Sequence, residues 1–466
     1  MRISTLLVFS TVLFTQANAQ AENIQKILDQ RVQKNYNVGI IVAIVTPDHT
    51  DYYQAGKLNS NPNAAPINSD TLFPLASITK VFTTLAFANQ VTQGRVALNA
   101  PAQPYMPKPI ILPKWHGHAI RLVDLATYTA GMPAALPFRA GVTALTDNPY
   151  STVTTADFAQ FLGHYQLPYR PGSQYLYSNL SIALLGLAVE TITAEPFQNY
   201  MAETIFQPLN MHSTFFQIPM EKSSQLVTGY SPIDQPVASW QFKSMAPAGG
   251  LYSSARDLVQ FLKANMGILP SSLYPAMKLC HLPVHSQGQQ SLAQMSDISK
   301  PLMSGLGWNI DQTNQLIWKN GNYSGFSSFL GFRKDRSLGV IVLTNTSNIT
   351  YTDNIGLHIL APAISLLPLY QQIRLDQSTI KKYAGNYCFK HHEGYNFKWQ
   401  ADHLQVVHFT QEKEPHQPFN IYPMNSHQFF GRVDNAIFDF EINVHNKPSR
   451  MKLTESGHTQ VATRCD

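Results

Sequence analysis

The sequence predicts an α/β domain followed by a small all-β, barrel-like domain, and three observations support this architecture. Two strand-like runs near the amino terminus, 38–45 and 52–57, have counterparts far along the chain at 315–318, 326–332 and 339–343. Between these two groups, apolar residues recur with helical spacing. Short, aromatic-rich runs with strand-like alternation fill the last part of the chain. We therefore expect one sheet that joins the amino- and carboxy-terminal parts of the first domain.

Helical patterns occupy most of the segment between the strand groups. The clearest begins at Ser77, where apolar residues follow at i, i+3, i+4, i+7 and i+8 before Gly94 ends the pattern. The proline-rich run 101–113 is expected to be irregular, and 267–300 shows little pattern. The other expected helices are 23–33, 122–128, 180–192, 256–266 and 354–367.

A domain boundary is expected near 369–379. It divides the chain into a signal segment at 1–19, a main domain at 20–370 and a β domain at 371–466. Cys388 and Cys465 would lie on the first and last strands of the β domain, so we expect a disulfide between them. Three unpaired cysteines, including Cys280, are the alternative. The expected strands of this domain are 383–389, 396–399, 404–409, 427–430, 437–442 and 451–454.

Composition excludes two broad classes of protein. Apolar residues make up 44% of the 466 residues and charged residues only 13%, so the chain is not a disordered polymer. The formal net charge is +5, and no basic run is longer than Lys381-Lys382. A small and scattered excess of this kind provides no surface for nucleic acid.

The first nineteen residues are typical of a cleaved secretory signal. Arg2 precedes an apolar stretch at 6–14, and Ala17-Asn18-Ala19 supplies a cleavage site of small residues. The apolar stretch is shorter than the roughly 20 residues that a membrane-spanning helix needs. We expect a periplasmic or secreted protein without stable membrane insertion.

The sequence from Ser77 to Lys80 places a hydroxyl at the start of a helix and an amine one turn later. Such a lysine can take the proton of the serine if its own pKa is lowered by burial or by another cation. On spacing alone, a helix cap and a solvated lysine remain the alternative. The same spacing recurs at 378–381 and 449–452, without a helical stripe after it.

Two further segments could carry chemistry. Tyr177-Ser178-Asn179 precedes an apolar helix and offers a phenol for proton transfer and an amide for binding. Lys319-Asn320-Gly321 ends a strand with a cation and a glycine that permits close backbone approach. Taken singly, each is better explained as an ordinary turn next to a helix or strand.

Together and in this order, the three segments resemble the Ser-x-x-Lys, Tyr-x-Asn and Lys-Thr-Gly motifs of the penicillin-recognising serine hydrolases. The Tyr-x-Asn form is similar to class C β-lactamases and related DD-peptidases. The resemblance extends over about residues 20–370 and includes the stretches 122–131, 171–173 and 306–308. It implies a β-lactamase/transpeptidase-like fold, in which an antiparallel sheet is flanked by helices and a helical subdomain.

The resemblance also implies roles for six residues. Ser77 would form the acyl-enzyme, Lys80 and Tyr177 would transfer protons, and Asn179 would bind a substrate amide. Lys319 would attract a substrate carboxylate, and the backbone N–H groups of Ser77 and Asn322 would bind the oxyanion. Asn320 departs from the family, which has a hydroxyl there; this lowers the expected efficiency of β-lactam turnover.

The resulting expectation is an exported serine hydrolase that acts on β-lactams or on peptidoglycan peptides ending in D-alanine. An esterase or D-aminopeptidase of the same family is the alternative enzyme, and a penicillin-binding sensor that does not turn over is the non-enzymatic one. No cofactor is expected. His116-Gly117-His118 and His391-His392 lack the additional ligands of a recognised metal motif, so no metal site is predicted.

Overall fold

The computed structural model describes residues 23–136, 148–288, 302–389, 393–410, 417–455 and 457–465. The predicted signal segment 1–19 and the pair His391-His392 lie outside these residues. Within them, the chain forms a main domain built on one large sheet, and a carboxy-terminal barrel.

An antiparallel sheet of eight strands forms the centre of the main domain, in the order β2-β1-β12-β11-β10-β9-β8-β7. Strand β1 is buried along its whole length, which explains its continuous apolar sequence. It pairs with β2 on one side and with β12 on the other. This confirms the prediction that one sheet joins the amino- and carboxy-terminal parts of the first domain. The strands are β1 Gly39–Val45, β2 Thr50–Gly56, β3 Leu72–Pro74, β4 Gly229–Tyr230, β5 Pro236–Val237, β6 Tyr252–Ser254, β7 His285–Ser286, β8 Met303–Ser304, β9 Asn309–Asp311, β10 Leu316–Tyr323, β11 Phe326–Arg333 and β12 Gly339–Thr344.

Helices cover both faces of this sheet. Helices α2 and α5 pack against each other, and both are largely buried. In the described part of the chain no single helix could span a membrane; Asn179–Thr193 and Phe197–Phe206 pass that test only as a pair bent by 84°. The helices are α1 at 23–33, α2 Thr79–Thr92, α3 Leu122–Ala126, α4 Thr155–Leu162, α5 Asn179–Thr193, α6 Phe197–Met201, α7 Ala246–Gly249, α8 Ala255–Asn265, α9 Tyr274–Cys280, α10 Ile349–Leu360 and α11 Gln377–Lys381.

The alternation of side chains along β10 divides the core into two parts. Ile317 and Tyr323 pack in the larger cluster, which also contains the buried residues of α2 and α5. Leu316 and Trp318 pack in a second cluster, together with apolar residues of α1 and α10. Residues on the odd-numbered face of β10 therefore point toward α2, and those on the even-numbered face point toward α10.

The carboxy-terminal strands close into an eight-stranded barrel, as the barrel-like prediction required. Cys388 on its first strand is bonded to Cys465, next to its last strand, and the predicted disulfide is confirmed. The prediction missed β16, which is short and ends in proline, and β20, which buries only Ala462. The strands are β13 Gly385–Cys388, β14 Gly394–Trp399, β15 Leu404–Phe409, β16 Phe419–Pro423, β17 Gln428–Gly431, β18 Ile437–Ile442, β19 Pro448–Glu455 and β20 His458–Arg464.

Two expectations for the main domain were wrong in detail. The segment 267–300, whose sequence shows little pattern, was interpreted as a long excursion, yet its described part, 267–288, contains α9, a seven-residue helix too short to give a periodic signal. The helix expected at 354–367 begins five residues earlier and ends at Leu360, because Pro362 cannot continue it.

Candidate active site

Ser77 lies in a 3-10 turn, Ala76–Ile78, that leads directly into α2. Ala76 has a φ of 48°, a left-handed conformation that is uncommon for a residue with a side chain. The turn is fixed by Leu75, whose N–H donates to the carbonyl of Leu251 at 2.8 Å and whose carbonyl accepts from Ile78. Such strained backbone persists only where the surrounding structure enforces it, and it is concentrated at functional sites.

Two proton-carrying side chains contact the hydroxyl of Ser77. The Lys80 Nζ atom lies 2.8 Å from Ser77 Oγ, and the Tyr177 hydroxyl donates to the same oxygen at 2.7 Å. Lys80 also donates to the carbonyl of Ala248 at 2.5 Å, and its side chain is completely buried. Ser77 and Lys80, which are neighbours on one helical turn, therefore share one hydrogen-bonded centre with Tyr177, which lies 100 residues beyond Ser77.

Burial shifts the pKa values of Lys80 and Tyr177 in opposite directions. The pKa of Lys80 is well below its ordinary value, first because the amine is buried and second because the cation of Lys319 is near. Burial raises the pKa of the Tyr177 phenol. The lowered pKa favours the neutral amine of Lys80, which can accept the hydroxyl proton of Ser77, while the raised pKa of Tyr177 favours a phenol that can donate.

The segment before α5 positions Tyr177 and Asn179. Ser178 caps α5, accepting from the N–H of Ser181 at 3.0 Å. Asn179 is the first residue of the helix, and its side-chain amide donates to the hydroxyl of Tyr150 at 3.3 Å. The amide is partly exposed, so it can also meet a ligand.

Strand β10 presents an open edge beside Ser77. Among the described residues, β9 pairs with β10 only as far as Trp318, which leaves the edge from Lys319 onward unpaired. Gly321 lies on the face of β10 toward Ser77, where a Cβ atom would be 2.8 Å from the Ser77 nitrogen. Only glycine therefore allows this approach of the strand to the turn that carries Ser77.

The strand register directs the backbone of Asn322 toward the open edge. Tyr323 pairs with Phe326 across the two-residue turn 324–325, and Asn322 pairs with Ser327. Residues that close a two-residue turn exchange backbone hydrogen bonds, so the next pair along the ladder does not. The N–H of Asn322 consequently points away from β11.

Lys319 projects from β10 into the same centre. Its Nζ atom lies 5.0 Å from the ring centroid of Tyr177 and 5.5 Å from that of Tyr128. Burial lowers its pKa to about 8, although the nearby carboxyl of Asp353 opposes this effect. Lys319 can hold a positive charge at neutral pH beside the open edge.

Asn320, which departs from the family pattern, points to the opposite face of β10. Its side-chain amide donates to Asp353 Oδ2 on α10 at 2.6 Å. Burial raises the pKa of Asp353 to about 8, while the amide of Asn320 and the charge of Lys319 act in the other direction. The donor that replaces the family hydroxyl is therefore engaged by a buried carboxyl.

Sequence reasoning missed four contributors to this site. Asp353 contacts Asn320, Tyr150 contacts Asn179, and Ala248 supplies a backbone carbonyl to Lys80. The fourth, Trp240, stacks on Tyr323 with ring centroids 4.8 Å apart and packs against Tyr150, forming an aromatic wall. None of the four belongs to a local motif. The only sequence signals were the aromatic side chains of Tyr150 and Trp240 themselves, and Asp353 and Ala248 had none.

The described residues contain no group of three His, Cys, Asp or Glu side chains that could hold a metal ion. His116 and His118 instead flank Trp115, with ring centroids 4.5 and 6.1 Å away. The other histidine pair, His391-His392, lies outside the described residues.

Comparison with known proteins agrees with this geometry. A family model described as Beta-lactamase matches residues 24–357, which is well over half of the chain. The chain belongs to the beta-lactamase family. It is accordingly a serine hydrolase of the beta-lactamase/DD-peptidase superfamily. A beta-lactamase of Pseudomonas fluorescens is 25% identical over 70% of this chain and 94% of its own length.

Solved structures of other proteins share the fold. A beta-lactamase/D-alanine carboxypeptidase from Pseudomonas syringae covers 75% of this chain and 98% of its own, with a TM-score of 0.60 at 23% identity. An octameric penicillin-binding protein homologue from Pyrococcus abyssi covers 95% of this chain and 99% of its own, with a TM-score of 0.63 at 18% identity. The second likeness extends beyond the main domain into the barrel.

Proposed function

We propose that this protein is an exported hydrolase that forms an acyl-enzyme on Ser77 and cleaves β-lactams or peptidoglycan peptides ending in D-alanine. The observation that carries the proposal is the shared centre at Ser77 Oγ, which lies 2.8 Å from Lys80 Nζ and 2.7 Å from the Tyr177 hydroxyl. A serine becomes an effective nucleophile when a neighbouring base of suitably low pKa takes its proton.

In the proposed acylation step, neutral Lys80 accepts the Ser77 proton as Oγ attacks the substrate carbonyl. The new C–O bond places negative charge on the carbonyl oxygen, which the N–H groups of Ser77 and Asn322 stabilise. The carbon–nitrogen bond then breaks, Tyr177 protonates the leaving nitrogen, and the proton held by Lys80 returns to Tyr177. Water attacks the ester in the second half, with the same two residues transferring its protons.

The surrounding residues fit the two ends of such a substrate. Asn179 offers a partly exposed amide that can pair with the amide of the acyl side chain. The open edge of β10 can pair with an extended peptide backbone. Lys319 supplies the cation that would attract the carboxylate next to the scissile bond.

One observation favours a second candidate, an esterase or D-aminopeptidase whose substrate lacks that carboxylate. The side chain of Asn320 is directed to the opposite face of β10, where its amide donates to the buried carboxyl of Asp353 and not toward the centre at Ser77. Loss of a hydrogen bond to a charged group costs roughly 1.5–3 kcal/mol. Substrates that end in an ester or a neutral amide do not incur that loss.

The test is to incubate the mature protein with benzylpenicillin, and separately with p-nitrophenyl acetate, while following its intact mass. A transient penicilloyl adduct with released product indicates a β-lactamase, and a long-lived one indicates a DD-peptidase or a sensor. Acylation by the ester alone indicates the second candidate. Because Ser77→Ala removes the nucleophile, an adduct that persists in this variant would refute the proposal.

Export is part of the proposal and rests on the predicted signal at 1–19. The Cys388–Cys465 disulfide supports it, because disulfides persist chiefly in oxidising compartments such as the periplasm. Cell fractionation after expression in a bacterial host, with sequencing of the mature amino terminus, tests both the location and the cleavage after Ala19.

A further inference from the structure

A short hairpin connects the barrel with the turn at the end of β10. Strands β4 and β5 form this hairpin, 229–237, which we call the bridging hairpin. At its tip, the Asp234 carboxylate accepts from the Tyr422 hydroxyl, and the carbonyl of Pro232 accepts from the Asn420 N–H at 3.0 Å. Tyr422 and Asn420 both belong to β16, so the tip is attached to the barrel.

The base of the bridging hairpin packs on the turn 324–325 without free space. The Tyr230 N–H donates to the carbonyl of Gly325 at 3.2 Å. A Cβ atom on Gly325 would lie 2.4 Å from Val237, and one on Gly229 would lie 2.5 Å from the ring of Phe326. A shift of the hairpin must therefore move the turn that follows Asn322 and Tyr323.

A buried cation of the barrel, Arg432, lies close to Asp234 at the tip of the bridging hairpin. Arg432 lies 3.6 Å above the ring of Tyr422, and its side chain is only 9% exposed. Asp234 provides a carboxylate 3.8 Å from it, and Gln372 accepts one further hydrogen bond at 2.8 Å. The Asp234 side chain is itself 49% exposed, so its carboxylate contributes to the neutralisation of this buried cation together with Gln372 and the Tyr422 ring. That contribution favours the observed position of the tip.

We propose that Asp234 is a positioning residue, through which the barrel fixes the bridging hairpin and thereby the backbone N–H of Asn322 that binds the oxyanion. This inference rests on the proposed acyl-enzyme function. It assigns the barrel a part in catalysis, although no barrel residue is proposed to touch the substrate.

The test is Asp234→Asn, which keeps the shape of the side chain and removes its charge. Asparagine tolerates the left-handed φ of 58° at this position. We would measure the rate constant of Ser77 acylation and the fraction of active sites, using a fluorescent penicillin and p-nitrophenyl acetate as probes. We expect the acylation rate constant to fall on the order of tenfold, since small displacements of a catalytic group are costly, while the active fraction stays near that of the wild type.

Tyr422→Phe removes the other partner of Asp234 and should change the rate constant in the same direction. Asp439→Asn is the matched control, because this barrel carboxylate accepts from Gln428 at 2.8 Å and is not part of the contact with the hairpin. A smaller active fraction with an unchanged rate constant would mean a purely structural role, and the inference would fail. If neither probe acylates the wild-type protein, the proposed function itself fails.

Discussion

Substitution of Gly321 tests whether the proposed reaction depends on the close approach of β10 to the turn that carries Ser77. A Cβ atom at this position would lie 2.3 Å from the Leu75 carbonyl oxygen, 2.7 Å from Ser328 Oγ and 2.8 Å from the Ser77 nitrogen. Non-bonded heavy atoms settle at roughly 3.5–4 Å, so Gly321→Ala must push the strand and the turn apart by about 1 Å. Misplacement by 1 Å can cost about 100-fold in rate, and we expect acylation to slow by that factor.

The measurement is the rate constant of acylation of purified protein by a fluorescent penicillin, or by p-nitrophenyl acetate if only the ester reacts. Overpacking costs typically 1–3 kcal/mol of stability, so urea unfolding must show that the Gly321 variant is folded under the assay conditions. Gly163→Ala is the matched control, because its Cβ atom would lie no closer than 3.3 Å to its neighbour Ala159. A folded Gly321→Ala protein that acylates within threefold of the wild type would refute the reasoning.

Three other outcomes are expected. Tyr177→Phe should slow acylation about 100-fold or more, measured by stopped flow, because the phenol donates a proton in the reaction; a change below threefold would exclude that role. Raising the pH through about 8 neutralises Lys319 and ionises Asp353, so KM for a carboxylate-bearing substrate should rise about tenfold between pH 7 and pH 9. KM for a neutral ester should stay nearly constant, and equal changes for both substrates would contradict the assignment. Replacing Cys388 and Cys465 by serine opens a loop with a sequence separation of 77 and should lower barrel stability by about 4 kcal/mol in urea unfolding; an unchanged midpoint would contradict this.

The sequence was informative wherever a function depends on residues close together in the chain. Ser77 and Lys80 lie one helical turn apart, and the buried stripe of α2 was visible as a pattern. Lys319 and Gly321 lie on one face of a strand, but the assignment of a site there came from the resemblance of the three segments, in their order, to the family motifs and not from their spacing alone. In both cases, residues a few positions apart share one face of a helix or strand, and the periodicity of that element determines which face they share.

Contacts between distant elements could not be predicted in this way. Asp353 lies 33 residues beyond Asn320 on a different element, and nothing in its local sequence indicates burial. The sequence could not indicate that Ala248 supplies the carbonyl that accepts from Lys80, because every residue has a backbone carbonyl. Strand β20 was missed because its side chains face solvent, and its place follows from the closure of the barrel.

The pairing of β1 with β12 determines when this protein can fold during its synthesis. Ile40 pairs with Thr344, about 300 residues later, and β12 in turn flanks the hairpin formed by β10 and β11. Contacts across so long a separation form slowly and cannot form on an incomplete chain. The newly made polypeptide therefore stays without its central sheet until most of the main domain has left the ribosome. An unfolded chain is the form that can be threaded through a membrane, so this strand order is compatible with the export proposed above.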